Sequence, residues 1–396
     1  GAVLKQHGSE RTMAETKKRI RYIDMIKGFA ILNVVASHAL DYGLDKFVSA
    51  NRIPKNYINL ILGMFFITSG YFYVKGKRSV TESIRSRVRS VLVPYWIYLP
   101  VISALDFVRI AVFEGETEPA AFFRGVIACV WGSSRIPFEV PFWGITRYKG
   151  IIAVLLSRTA PFWYLPALFT GSVFSFLLIE KLYDRENKKS VVYVLLAALP
   201  LMLISLIDRN LLVSWQLPWA LCAGAVAALL LVCGYFIREA GVLNKDGNSF
   251  SYGLLSGGAL IAGAFIAFNS RDMSFVYADF GEGLAFGNIL IYLIGSIALF
   301  FFLAVLFKLI EDKAVILTGL FSRLGEMSLY IFVFHYLIIR YLDNILNDVL
   351  PSAAASLQGN YTARAVLCII YAILAVLISY AIGRGITGIK KSRKHP

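Results

Sequence analysis

Residues 214–237, SWQLPWALCAGAVAALLLVCGYFI, contain no charged side chain and are long enough to cross a lipid bilayer as one helix. The chain is 58% hydrophobic and 16% charged, whereas soluble domains carry roughly 45–50% apolar and about 25% charged residues. Only helices and closed barrels satisfy all backbone polar groups in lipid, and barrel strands would alternate over ~10-residue segments. The sequence predicts an all-α integral membrane protein of about ten transmembrane helices without a soluble domain. The ten expected spans cover residues 22–42, 56–74, 91–113, 161–179, 190–207, 214–237, 250–269, 284–307, 320–340 and 363–386.

Lysine and arginine are distributed unevenly between these spans. Alternate connecting segments hold 26 and 12 of the 40 basic residues, and Lys27 and Arg109 lie within spans. Cytoplasmic loops of membrane proteins collect basic residues, so both termini are expected in the cytoplasm. The same bias accounts for the formal net charge of +15 without a nucleic-acid partner.

The expected organisation is a cytoplasmic tail at 1–20, a membrane domain at 21–386 and a basic cytoplasmic tail at 387–396. The long segment 114–160 is predicted to form short interfacial or re-entrant helices. The four cysteines follow no metal-ligand spacing and no disulfide framework, and no metal is expected.

The first span holds the densest set of ionisable residues. Asp24 and Lys27 are three residues apart and can pair on one helix face. His38 follows Lys27 by eleven residues, which places both on one stripe with an axial offset of about 16 Å. A histidine at this depth indicates a functional role, because ionisable groups inside a bilayer are energetically costly. Asp41 lies near the far end of the same span.

Two further motifs precede the third span. FFITSGYFY, residues 65–73, contains Ser69-Gly70, which permits close helix packing. SIRSRVRSVLVPYW, residues 83–96, contains three arginines that have two interpretations. Arg85, Arg87 and Arg89 either set topology and bind lipid headgroups, or form an anion site for a phosphate-rich ligand.

Polar and aromatic residues also mark later spans. APFWYLPALF, residues 160–169, carries Trp163 in a cluster typical of a membrane interface. GEMSLYIFVFHY, residues 325–336, brings Glu326, Tyr330 and His335 into the ninth span, where they predict either a hydrogen-bond network between helices or part of a site. Asp106 and Arg109 in the third span form an i,i+3 pair that is expected to neutralise itself.

Taken together, these segments resemble the acyltransferase-3 family of membrane acyltransferases, in particular its sugar O-acetylase branch. The closest motif is RYIDMIKGFAILNVVASHAL, residues 21–40, because the first helix of the family carries a basic residue, ten residues and then histidine. The family more often has arginine where this chain has Lys27, which keeps the charge but loses the bidentate fork. The resemblance runs from about residue 19 to 385 and preserves the order of the motifs.

The resemblance implies an enzyme of the bacterial cytoplasmic (inner) membrane that moves an acyl group, usually acetyl, from cytosolic acyl-CoA to a hydroxyl of a glycan or another envelope acceptor. Acetyl-CoA, or another acyl-CoA, would be the co-substrate. Its phosphates would meet one basic residue of the first span and three that precede the third span, with Ser69 nearby; these are Lys27, Arg85, Arg87 and Arg89.

The same resemblance makes His38 the general base on the acceptor hydroxyl, or the carrier of a transient acyl group. Glu326 and Tyr330 are candidates to orient its imidazole, and Asp41, Trp163 and His335 are candidates on the acceptor side. Two rival classes stay open: an exporter of polysaccharide or lipid-linked sugar, and a non-catalytic sensor of the same fold.

Overall fold

The computed structural model describes residues 20–45, 47, 51–115, 130, 132, 160–211, 217–244, 248–267 and 286–392, which form helices joined by short connections. The all-α membrane fold expected from the sequence is confirmed. The helices are α1 (Arg21–Gly43), α2 (Arg52–Tyr71), α3 (Val80–Arg87), α4 (Val93–Phe113), α5 (Tyr164–Leu182), α6 (Ser190–Leu211), α7 (Leu221–Glu239), α8 (Asn248–Ala267), α9 (Phe286–Ile310), α10 (Val315–Glu326), α11 (Ser328–Asn344), α12 (Pro351–Leu357) and α13 (Tyr361–Ser392).

Each of the ten expected spans overlaps one or two of these helices. Within the described ranges, seven helical stretches are long and apolar enough to cross a membrane, and three shorter apolar helices lie in α2, α6 and α8. The chain is therefore a multi-pass membrane protein. The count of ten spans and the cytoplasmic position of the termini stay predictions.

Two boundaries differ from the sequence prediction. The expected span 320–340 is divided at Met327, where α10 ends and α11 begins. Helix α13 continues to Ser392, so the basic tail expected from 387 begins inside a helix. The tail 1–19 and most of segment 114–160, including the expected interfacial helices, lie outside the described residues.

Helix α1 is the centre of the bundle and packs against α2, α9, α10, α11 and α13. Close approach to α10 depends on two glycines. A Cβ on Gly28 would lie 1.9 Å from the carbonyl oxygen of Phe321, and one on Gly325 would lie 2.0 Å from that of Asp24. Small residues of this kind let helices pack tightly in lipid, where no hydrophobic force drives them together. This contact fixes α10 against the first turns of α1.

The Ser69-Gly70 motif of α2 fulfils its expected packing role against α7. A Cβ on Gly70 would lie 1.9 Å from the Leu231 carbonyl oxygen, and Gly234 approaches Ile67 in the same way. The outer surface of the bundle is apolar. On α13, for example, Val366, Ile369 and Ile373 are exposed, as expected for side chains that contact lipid.

Candidate active site

A cavity of about 370 Å³ opens beside α1, between α2, α3, α5 and α11. Its walls are mainly apolar, with a few polar groups that converge from different helices. This composition and size are typical of small-molecule sites. The lining residues are Lys27, Val34, Leu62, Phe65, Thr68, Ser69, Phe72, Arg87, Ser90, Val91, Tyr164, Leu165, Leu168, Ser328, Leu329 and Phe332.

Two cations stand at the cavity, Lys27 from α1 and Arg87 from α3. Lys27 pairs with Asp24 at 2.5 Å, as the i,i+3 spacing predicts, and its Nζ lies 5.6 Å from the centre of the Phe72 ring. Arg87 donates from Nη2 to the Ser69 carbonyl oxygen at 3.3 Å. The two charges come from helices far apart in the sequence, so the fold creates a basic wall that could receive an anionic ligand.

The other two arginines of the motif are placed differently. Arg85 and Arg89 are exposed and do not line the cavity, whereas Arg87 is half-buried and does. Residues two apart on a helix point in nearly opposite directions, so Arg87 cannot share a face with both neighbours. A π-helical turn, Val88–Leu92, follows Arg87 and adds Ser90 and Val91 to the wall. Such turns are frequent at functional sites.

Two buried hydroxyl groups in the cavity wall, those of Ser69 and Tyr164, have no hydrogen-bond partner within the part of the chain that the structure describes. A buried hydroxyl without a partner lowers stability, so such a pair in one wall suggests that a ligand completes the bonds. Ser69 was expected at the site, but Tyr164 was not. It belongs to the aromatic segment 160–169, in which residue type and spacing do not distinguish it from the neighbouring Trp163.

Two histidine side chains that are far apart along the sequence lie next to each other beyond the cavity. The ring centres of His38 and His335 are 5.3 Å apart, and the Tyr336 ring meets His38 edge-on at 5.1 Å. Nδ1 of His335 lies 2.8 Å from the Ile331 carbonyl oxygen, which can only accept, so Nδ1 carries the proton. Nε2 of His335 then presents a lone pair, and it is buried with no hydrogen-bond partner from the described ranges.

The cavity and the imidazole pair are neighbours along both helices. Val34 lines the cavity one turn before His38, and Phe332 lines it one turn before Tyr336. Four residues correspond to about 6 Å of axial rise. The ring of Phe332 also lies 6.2 Å from that of His335 and 6.1 Å from that of Phe162. A layer of apolar side chains about one turn thick thus separates the cavity from the imidazoles.

Glu326 does not lie where it could orient His38. Gly325 packs on the carbonyl of Asp24, fourteen residues before His38, which corresponds to about 21 Å along α1. Tyr330 belongs to another face of α11, where its ring lies 6.0 Å from that of Tyr98 and its Cβ packs on Gly383. Among the described residues, the rings of His335 and Tyr336 neighbour the His38 imidazole.

The remaining candidates occupy different surroundings. Trp163 is buried in the core and its ring lies 5.8 Å from that of Tyr164, so it is not an exposed interface residue. Asp41 lies near the end of α1, three residues after His38 and half-buried. Next to it, the Tyr42 hydroxyl donates to that of Tyr336 at 3.3 Å.

A family model described as an acyltransferase domain matches residues 20–384, nearly the whole chain. The chain belongs to the acyltransferase-3 family. No curated protein matches it. The matched region includes the cavity and both histidines, so this membrane acyltransferase has its candidate site among the helices of the family domain.

Proposed function

We propose that the protein is an O-acetyltransferase that moves an acetyl group from acetyl-CoA to a hydroxyl of a glycan or another cell-envelope acceptor. One observation carries this proposal: a cavity with Lys27 and Arg87 in its wall ends one helical turn from His38. The two cations suit the phosphates of CoA. The apolar interior suits the pantetheine arm, and the Ser69 and Tyr164 hydroxyls can bond its amides. Among the basic residues, Lys27 and Arg87 are the primary donor contacts, while Arg85 and Arg89 act at the surface.

In the proposed reaction, one nitrogen of His38 takes the proton from the acceptor hydroxyl. The oxygen attacks the thioester carbonyl carbon, the C–S bond breaks, and the CoA thiolate leaves with the proton returned by the imidazolium. Neutral imidazole is suited to this task near pH 7. An acetyl-imidazole intermediate would use the same residue as nucleophile.

His335 takes the orienting role in this scheme. Its Nδ1–H is held by the Ile331 carbonyl, so its Nε2 can accept the N–H of His38 and leave the other nitrogen of His38 as the base. The role was expected for Glu326 or Tyr330; the separation of about 21 Å along α1 between Asp24, on which Gly325 packs, and His38, and the packing of Tyr330 on Gly383, support His335 instead. An acceptor would then approach from the side of Asp41 and Tyr42.

We further propose that the mouth at Lys27 and Arg87 faces the cytoplasm of a bacterial inner membrane, where acetyl-CoA is available. The excess of basic residues in the segments on that side supports this orientation. The donor would enter from inside and the acceptor from the membrane or the outer side.

The test measures CoA binding and CoA thiol release from acetyl-CoA by the purified full-length protein, with envelope glycans as acceptors. His38→Ala is expected to bind CoA as the wild type does and to lose transfer by about 10²–10⁴-fold. Arg87→Ala is expected to weaken CoA binding by about 10- to 100-fold, the loss of one or two charge-assisted hydrogen bonds.

Arg85→Ala is the matched control, since it removes an arginine two residues away that lies outside the cavity. It should leave CoA affinity within about twofold at physiological salt, because exposed charges contribute little. Transfer that survives in His38→Ala would remove this residue from the mechanism. Wild-type protein that binds no CoA would overturn the function and favour an exporter.

A further inference from the structure

A second cluster of charges lies at the far ends of α4 and α11. Arg109 donates from Nε to Oδ1 of Asp106 at 2.8 Å, and Arg340 reaches the same oxygen from Nη1 at 2.7 Å. The expected pairing of Asp106 with Arg109 is confirmed, but Arg340 makes it a triad. The three residues are buried, with the two arginines only 2% and 4% exposed. Two guanidinium groups therefore share one buried carboxylate.

The hydrogen-bond donors of this cluster exceed its acceptors. Nη1 of Arg109 donates to Glu114 at 3.0 Å and also to Asn344. The Nη2 atoms of both Arg109 and Arg340 are buried and have no hydrogen-bond partner among the described residues. Because both arginines bond to one oxygen, their bonded nitrogens lie no more than about 5.5 Å apart. The two guanidinium groups are therefore immediate neighbours at the shared Asp106 oxygen.

The two carboxylates, Asp106 and Glu114, match the two guanidinium groups in number but are placed unevenly. Glu114, with its side chain 30% exposed, contacts Arg109 from the surface, whereas the acidic partner of Arg340 within the described residues is the shared Asp106. A buried arginine that shares its one carboxylate partner with a second arginine is costly in a low-dielectric environment. If the cluster served only to join α4 to α11, each guanidinium N–H group would be expected to donate to an acceptor in the protein. The unpartnered donors instead fit a site that an anion completes.

The position of the cluster relates it to the proposed reaction. Asp106 follows Arg87 by nineteen residues along the continuous helical stretch Val80–Phe113, which corresponds to about 28 Å. That is close to the thickness of a bilayer core. Arg340 follows His335 by five residues on α11, about 7.5 Å further from the Lys27 end. The cluster thus lies on the acceptor side of the imidazoles.

We propose that Arg109 and Arg340 form a binding site for one anionic group, a carboxylate or phosphate, and that this group belongs to the acceptor. This inference rests on the proposed function. It makes the acceptor an acidic glycan, such as a uronate-containing or phosphorylated sugar, whose charge is held at the arginines while a hydroxyl reaches His38. The planar guanidinium groups suit the two oxygens of such a group.

The test compares glucuronate, glucose 1-phosphate and glucose as probes, by titration of the purified full-length protein. One of the two anions is expected to bind at least tenfold more tightly than glucose, with the preference lost in Arg340→Met. Arg340→Lys keeps the buried charge but not the fork, and should reduce the preference if Arg340→Met does not fold. Arg185→Met is the control, since Arg185 is exposed and lies on a different part of the protein.

CoA affinity is measured in parallel and is expected to be unchanged in the Arg340 variants, which separates this site from the donor site. A wild type without preference for anions would overturn the proposal, and so would a preference that survives in both Arg340 variants. Nanodiscs of phosphatidylglycerol and of phosphatidylcholine form the second arm. The acceptor assignment is wrong, and the site holds a lipid headgroup, if three results occur together. These are stabilisation of the wild type by phosphatidylglycerol alone, loss of that stabilisation in Arg340→Met, and equal binding of the three sugars.

Discussion

Replacement of Tyr164 by phenylalanine should change stability and ligand affinity in opposite directions. The Tyr164 ring packs 4.7 Å from the Phe66 ring and 5.6 Å from the Phe332 ring, and phenylalanine keeps these contacts. Only the buried hydroxyl is lost, for which the described residues supply no hydrogen-bond partner. Burial of such a group costs about 1–3 kcal/mol, so Tyr164→Phe is expected to raise the free energy of unfolding of the ligand-free protein.

The same substitution should weaken CoA binding if the hydroxyl bonds the ligand. A neutral hydrogen bond contributes about 1 kcal/mol net, which corresponds to roughly a fivefold increase in Kd. Thermal unfolding in the absence of ligand and titration with CoA measure the two effects on the same preparation. A merely structural hydroxyl could not produce this pair of results, because it would leave affinity unchanged.

Tyr292→Phe is the matched control. Tyr292 is equally buried, but its hydroxyl donates to the Asn59 carbonyl oxygen at 3.0 Å and it does not line the cavity. Its loss should lower stability by about 1 kcal/mol and leave CoA affinity unchanged. The reasoning is refuted if Tyr164→Phe is destabilised like the control, or if it binds CoA as tightly as the wild type.

Two other predictions concern packing and the imidazole pair. Gly325→Ala should destabilise the protein by about 1–3 kcal/mol, since its Cβ would lie 2.0 Å from the Asp24 carbonyl oxygen. Gly319→Ala is the control on the same helix, because its Cβ would meet open space and the substitution should stabilise the protein by about 0.5–1 kcal/mol. Equal melting temperatures of the two variants would contradict this prediction. His335→Gln should lower kcat and shift the pH dependence of kcat with little change in CoA affinity, because the substitution alters the orientation of the His38 imidazole. An unchanged pH dependence would show that His335 only packs against its neighbours.

Local spacing was enough to predict pairs within one helix. The contacts of Asp24 with Lys27 and of Asp106 with Arg109 follow from the i,i+3 rule, and the structure confirms both. Length and hydrophobicity likewise predicted the helices, because lipid leaves the backbone few alternatives. Arg340 was missed as a third member, since its partner is far away in sequence.

Contacts between helices depend on how each helix is rotated about its axis and how deep it lies in the membrane. Neither quantity can be read from a single sequence. The break at Met327 shows this, because residues 320–340 were expected to form one span yet divide into α10 and α11. The expectation of one continuous helix therefore misplaced Glu326, which ends α10 near Asp24 and not near His38. Tyr164 was missed for a related reason: neither its neighbours nor its type reveals that its hydroxyl faces a cavity.

The apolar layer of Val34 and Phe332 has a consequence for the membrane itself. Buried polar groups lie near Lys27 at one end of the bundle and near Arg340 at the other. A continuous path of water molecules between the two groups would let protons and small ions cross the membrane. The packing around Val34 and Phe332, about one helical turn thick, interrupts that path. Under the proposed function, this layer would act as an electrical insulator and would let an enzyme with reactants on two sides operate without discharging the membrane potential.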